Sequence, residues 1–324
     1  MPLLSGSSYQ ASWPFTNAHV NTIYPALFRK VPSIAYERET INTPDGDFLD
    51  LDWQKNSSKK LLIGLHGLEG NADRHYLRGL FSFFGKNDWD TLGMNFRSCS
   101  GKLNNRLRMY NMGETNDLSL IINHVLQLGY YEEIVLTGFS LGGNVVLKYL
   151  GESGNHLPSQ IKGGVVFSVP CDIPAANIEI AHWRNRIYLK RFLKTLNAKL
   201  VEKTSLYPTH LDLSGPLPRS FYEFDEQFTG PIHGYSGAQD YWKSCSSIHF
   251  MPNIIRPVLL INALDDTFLA PTCYPEKLAA NHPSVYLETP SFGGHCGFYS
   301  TNRDGSWWTE RRALSFIQEK VLNR

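Results

Sequence analysis

The feature that most constrains the fold is an alternation along the chain, in which short apolar runs are separated by longer stretches with apolar residues at helical spacing. Lys60 to Gly67 (KLLIGLHG), Trp89 to Phe96 (WDTLGMNF), Glu133 to Phe139 (EIVLTGF), Gly163 to Val169 (GGVVFSV), Pro257 to Leu264 (PVLLINAL) and Ser284 to Pro290 (SVYLETP) read as strands. Helical patterns begin at Asp73, at Glu114 and directly after Ser140, and a closing helix repeats apolar residues at Ala313, Phe316, Ile317 and Val321. Strands separated by helices do not turn back as hairpins, so they pair in parallel, and such strands need cover on both faces. The expectation is a single α/β domain over residues 1–324, with a mostly parallel central sheet, helices on both faces and an N-terminal extension over about 1–40. From Asp172 the rhythm stops until about Ser247, a stretch too long for an ordinary connection, and residues of about 172–247 read as a cap inserted over the carboxyl edge of the sheet. In that stretch HWRNRIYLKRFLKTL has Trp183, Tyr188, Leu189, Phe192 and Leu196 at spacings of one apolar helix face, which either lines a substrate pocket or packs the cap onto the core.

Ser140 lies where the third strand runs into a helix, inside TGFSLGGN, a Gly-x-Ser-x-Gly pattern. With 26 glycines in 324 residues, chance would produce this pattern in roughly one such chain in six. The pattern gains meaning only with partners. A serine hydroxyl needs a base to take its proton, and the base needs a third group to fix its tautomer. Two later strand ends supply both: VLLINAL runs into DDTFLAP, with Asp265 and Asp266, and the last strand leads to FGGHCGF, with His295. Nucleophile, acid and histidine then follow one another in the order one known hydrolase architecture requires. The strand-end spacing puts Asp266 in register as the acid, with Asp265 as the alternative. The amides of Leu141, just after the serine, and Leu68, in the LHGLEG turn, are the candidate oxyanion donors, with Gly67, Gly142 and Gly143 allowing close backbone approach. His66 reads as scaffolding of the turn, Arg97 in NFRSCSG as a loop-bracing ion pair, and Cys296 as a packing residue.

Composition narrows the partners. A formal net charge of +1 without a dense basic stripe argues against nucleic acid. Five cysteines, with no Cys-x-x-Cys pair, argue against a disulfide framework or a zinc cluster, and the spacing of His66, Asp73 and His75 fits no common ligand set. No dinucleotide fingerprint follows a strand, so neither a metal nor a cofactor is expected. No apolar stretch is long enough to span a membrane and no leader pattern opens the chain, which sets the expectation of a cytoplasmic protein with a small-molecule or lipid-like ester substrate.

Several stretches, NAHVNTIYPAL, YERETINTPDGDFLDLDW, HGLEGN, NFRSCSG, GFSLGGN, FDEQFTGPIHGYSGAQDYW, DDTFLAP and GGHCGF, together resemble the YheT-like branch of the α/β-hydrolase superfamily over nearly the whole chain. Asn21 and Ser98 stand where relatives usually carry Gln and Gly. The resemblance implies an α/β-hydrolase fold, a triad of Ser140, Asp266 and His295, and hydrolysis of carboxylic esters; departure from the anchored animal relatives sets the expectation of a serine esterase acting on short to medium acyl chains. It also implies two alternatives on the same triad, acyl transfer to an alcohol and phospholipid cleavage. A member of the fold that binds without catalysis would need a broken triad, and every position here is filled.

Overall fold

The computed structural model describes residues 3, 4, 6–208, 213–302 and 304–322. Its centre is an eight-stranded sheet of β1 (Glu37–Asn42), β2 (Phe48–Gln54), β3 (Lys60–Leu65), β4 (Asp90–Met94), β5 (Glu133–Phe139), β6 (Ile161–Phe167), β7 (Val258–Ile261) and β8 (Val285–Glu288), in the order β1-β2-β4-β3-β5-β6-β7-β8. The six strands from β4 to β8 in that order are parallel, while β1 and β2 pair antiparallel at one edge. The expected parallel sheet is thus present, with an antiparallel pair that the apolar runs did not announce. The reason is visible in ERETIN and FLDLDW, where charged residues stand among the apolar ones. Those charges are satisfied across the pair and its neighbours: Arg38 binds both oxygens of Asp52, at 2.7 and 2.9 Å, and the Trp53 indole donates to Glu39 at 2.8 Å.

Helices α1 (Ala18–Phe28), α2 (His75–Gly85), α3 (Thr115–Gln127), α4 (Leu141–Ser153), α5 (Ile173–Ala181), α6 (Arg186–Leu206), α7 (Phe221–Phe224), α8 (Gly230–Ile232), α9 (Ala238–Cys245), α10 (Glu276–Asn281) and α11 (Trp308–Phe316) complete the chain. The core has two halves, one on each face of the sheet. On one face α3 and α4 bury Leu118, Ile122, Val145 and Leu150 against Leu61, Leu136 and Leu260. On the other, α2 and α11 bury Leu77, Phe81, Ala313 and Phe316 against Leu62, Val135 and Leu259. Parallel strands covered on both faces explain why their sequences are mostly apolar.

Sheet order reverses at β3, which has β4 on one side and β5 on the other. A crevice opens beyond the carboxyl ends of strands at such a point, and ligands collect there. The described residues between β6 and β7 form helices and turns and no strand, α5 to α9, with residues 209–212 outside the description. Two hydrogen bonds between Asn185 and Thr267, at 2.6 and 2.8 Å, tie the start of α6 to the loop after β7. Ile180, Tyr188 and Phe268 bury together with partly buried Ile23, so this helical segment closes over the reversal point and meets α1 there.

Candidate active site

Ser140 follows β5 directly and has φ 54° and ψ −120°, outside the regions a residue with a side chain adopts freely. Such a conformation costs about 1–3 kcal/mol and persists only where its surroundings enforce it. They do so here by contact. A Cβ on Gly142 would lie 2.5 Å from the Leu65 carbonyl oxygen, and one on Gly138 would lie 2.4 Å from the Gly142 carbonyl. Glycine on either side of the serine is therefore what lets β5 turn sharply into α4 against the end of β3. The turn lifts the hydroxyl into the crevice.

There Ser140 Oγ lies 3.0 Å from His295 Nε2, and His295 Nδ1 lies 2.9 Å from Asp266 Oδ2. The structure brings the three together from the ends of β5, β7 and β8. A carboxylate beside Nδ1 requires the proton on that nitrogen, which leaves Nε2 free to accept from the serine. Burial works against a charge on the His295 ring, but the Asp266 carboxylate, with the Cys296 sulfur acting in the same direction, outweighs it, and the pKa is raised above the usual histidine value. Asp266 Oδ1 is occupied separately, accepting the Phe268 N–H at 3.0 Å. Asp265 does not face the ring. Its Oδ1 accepts the Gly294 N–H at 2.9 Å, so it holds the loop that carries the histidine.

The amides of Leu68 and Leu141 border the same crevice, and among the described residues neither donates to a protein acceptor. His66 is fully buried beneath the Leu68 turn: Nε2 accepts the Phe96 N–H at 3.1 Å and Nδ1 faces the Gly67 carbonyl at 2.7 Å. That pairing fixes the Nδ1–H tautomer, and burial lowers the ring's pKa to about 3, so it stays neutral. Arg97 is buried under the neighbouring loop, with both Asp117 oxygens at 2.8 Å and with Asp45 at 2.7 Å and Asp47 at 3.1 Å.

Reading from residue chemistry left out what positions the histidine. The Thr22 hydroxyl accepts the His295 N–H at 2.9 Å, and Asn21, fully buried, accepts the Tyr299 N–H at 2.9 Å and donates to the Phe15 carbonyl. Both belong to α1, capped by Asn17, whose side chain accepts from the amides of His19 and Val20. Phe268 stacks on the imidazole with ring centres 4.2 Å apart. The one signal for α1 was its NAHVNTIYPAL stretch in the resemblance.

Two cavities meet at this point and share Leu68, Ser140, Phe192, Phe268 and His295. One encloses about 1030 Å³, its mouth included, and is walled by apolar residues such as Met109, Ala176, Ile180, Leu196 and Phe224. The other, of about 1320 Å³ on the same measure, lies between α1, the start of α2 and α6, and carries Glu69, Arg74 and Arg191. Of the expected apolar face, Phe192 and Leu196 reach the first cavity and Tyr188 the second. Trp183 does not line either: it sits in a turn before α6 and is 80% exposed. The helix begins three residues later than the apolar spacing implied, so the indole falls off its face.

The alpha/beta hydrolase fold family matches residues 60–301. Over 94% of this chain and 91% of its own length, the Escherichia coli (strain K12) protein named "Putative esterase YheT" is 33% identical. The mouse "Phospholipase ABHD3" is 26% identical over 99% of this chain and 80% of its own. Among solved structures, the Pyrococcus furiosus esterase PF2001 superposes with a TM-score of 0.60 at 18% identity, covering 90% of this chain and 97% of that one, a likeness of fold. The chain belongs to the α/β-hydrolase superfamily, in its YheT-like branch, and is a hydrolase. None of the helices among the described residues is long and apolar enough to cross a membrane.

Proposed function

We propose that the protein is a serine esterase that cleaves carboxylic esters of short to medium acyl chains. The observation that carries this reading is the unbroken chain of contacts, 3.0 Å and 2.9 Å, from Ser140 through His295 to Asp266 at the mouth of an apolar cavity. His295 Nε2 takes the hydroxyl proton as Ser140 Oγ attacks the ester carbonyl carbon, and Asp266 steadies the imidazolium that results. The oxyanion receives the free amides of Leu68 and Leu141. His295 then gives its proton to the departing alcohol oxygen as the carbon–oxygen bond breaks, leaving an acyl group on Ser140. Water attacks the acyl-enzyme with His295 as base again, and the carboxylic acid leaves. No metal or cofactor enters these steps.

Helices α5 to α9 act as the cap, and the acyl chain lies in the apolar cavity beneath them. The names of the relatives, an esterase and a phospholipase, agree with an acyl ester as substrate. An alcohol in the second cavity could resolve the same acyl-enzyme in place of water. Five free cysteines, four of them buried, suit a reducing compartment such as the cytoplasm. A fluorophosphonate probe should label Ser140 alone, with one equivalent bound per chain and hydrolysis of a neutral octanoyl ester lost in Ser140→Ala. Labelling and hydrolysis that survive this substitution would refute the assignment.

A further inference from the structure

The second cavity has a charge that the ester chemistry leaves unused. Arg74 is half-buried on its wall, where Nη2 donates to the Glu69 carbonyl oxygen at 2.7 Å and, among the described residues, no carboxylate meets the guanidinium. Arg191 of α6 also lines this cavity, is exposed, and forms no ion pair among the described residues. The acid that does line the cavity is already matched: Glu69 accepts from Lys199 and from the Tyr110 hydroxyl, each at 2.8 Å. His75, on the same wall, is held neutral, its pKa lowered to about 3 chiefly by burial and further by the surrounding arginines. Two cationic forks thus flank the space beside Ser140 and His295 without a neutralising partner. The first cavity offers the opposite character, with apolar walls suited to hydrocarbon and a half-buried carboxyl group, Asp225, that accepts from the Trp242 indole.

We propose that Arg74 and Arg191 form an anion subsite for the alcohol portion of the substrate, so that the preferred ester joins an apolar acyl chain to an alcohol bearing a carboxylate or phosphate. This rests on the esterase reading, and it assigns each side of the scissile bond to one cavity. Guanidinium groups suit either anion because they donate two parallel hydrogen bonds to it. Their position places the negative group on the leaving alcohol, where it orients the ester oxygen toward His295.

The test uses the full chain and four octanoyl esters matched in acyl group, of ethylene glycol, glycolic acid, 2-hydroxyethyl phosphate and choline. In the wild type kcat/KM for the anionic esters should exceed that for the glycol ester by about tenfold, with the choline ester poorest. The larger of the carboxylate and phosphate arms identifies which anion the site takes. Arg74→Gln and Arg191→Gln should each shrink the anionic-to-neutral ratio about three- to tenfold, mainly through KM, and added salt should shrink it in the wild type. Arg191 is exposed, so its variant tests the idea even if Arg74→Gln folds poorly. Lys190→Gln, an exposed cation of α6 that does not line the cavity, should keep the wild-type ratio. A wild-type ratio near one, a ratio unchanged in the double variant, or an equal loss in Lys190→Gln would overturn the subsite. Such results with glycol-ester hydrolysis still dependent on Ser140 would leave the esterase standing, whereas hydrolysis surviving Ser140→Ala would overturn the esterase itself.

Discussion

Asp266→Asn is the substitution whose outcome follows most directly from the hydrogen bonds. The native carboxylate uses one oxygen for the Phe268 N–H at 3.0 Å and the other for His295 Nδ1 at 2.9 Å. An asparagine in the same place has a single oxygen. The Phe268 amide can only donate, so the new side chain turns its oxygen there and presents its NH₂ to the imidazole. Nδ1 must then accept, and the ring proton moves to Nε2, the nitrogen that has to receive the Ser140 proton. Wrong tautomer and lost charge together should lower kcat by about 10³ to 10⁴, or roughly 4 to 5.5 kcal/mol of barrier. Folding should change little, since the shape is kept and the Phe268 bond survives. Asp265→Asn provides the contrast, because its oxygen can still accept from Gly294. It should cost about tenfold or less. The pH profile carries the second half of the argument. Catalysis needs the neutral imidazole, and Asp266 raises the His295 pKa, so the acidic limb of kcat/KM should lie above the usual histidine value of about 6.5. Removing the carboxylate should move that limb to lower pH in the residual activity of Asp266→Asn. Steady-state kinetics across pH on both variants, with melting temperatures as a check, decide the matter. A larger loss in Asp265→Asn, or an unmoved limb in Asp266→Asn, would refute the assignment of the acid.

Thr22→Val keeps the shape of the side chain but removes the acceptor for the His295 N–H, and should lower kcat about ten- to a hundredfold with KM nearly unchanged, as hydrolysis kinetics would record. Restoration by Ser at the same position would separate the hydrogen bond from packing. For the acyl cavity, Ala176→Leu should shift the optimum in a graded ester series about two or three carbons shorter, while Trp183→Ala, at an exposed turn, should leave the length profile in place. A uniform loss at all lengths in the first variant would move the acyl chain out of that cavity.

The parallel sheet was legible because its strands are buried on both faces and therefore mostly apolar, as in EIVLTGF and PVLLINAL. Ser140 was legible for a related reason: a turn as tight as the one between β5 and α4 excludes a Cβ at Gly138 and Gly142, and that exclusion is written into the sequence as glycine. The order of Ser140, Asp266 and His295 along the chain is equally a sequence property. The strand-end spacing favoured Asp266 without excluding Asp265, because two adjacent residues point in different directions and the loop after β7 sets which one turns inward. β1 and β2 escaped notice because charged residues stand among their apolar ones, and those charges find partners only once neighbouring strands pair, Arg38 with Asp52 and Glu39 with Trp53. The role of α1 is more extreme still. The His295 amide and the Thr22 hydroxyl are 273 positions apart, and nothing local to either residue calls for the other. Trp183 failed in the opposite direction, since periodicity fixes the faces of a helix only once its first residue is known, and the contacts of Asn185 with the β7 loop decide where α6 begins. Elements dictated by local sterics and continuous burial can be read along the chain. The tertiary structure alone decided which distant polar groups satisfy one another, because a hydrogen bond needs a partner in space and is indifferent to separation along the chain.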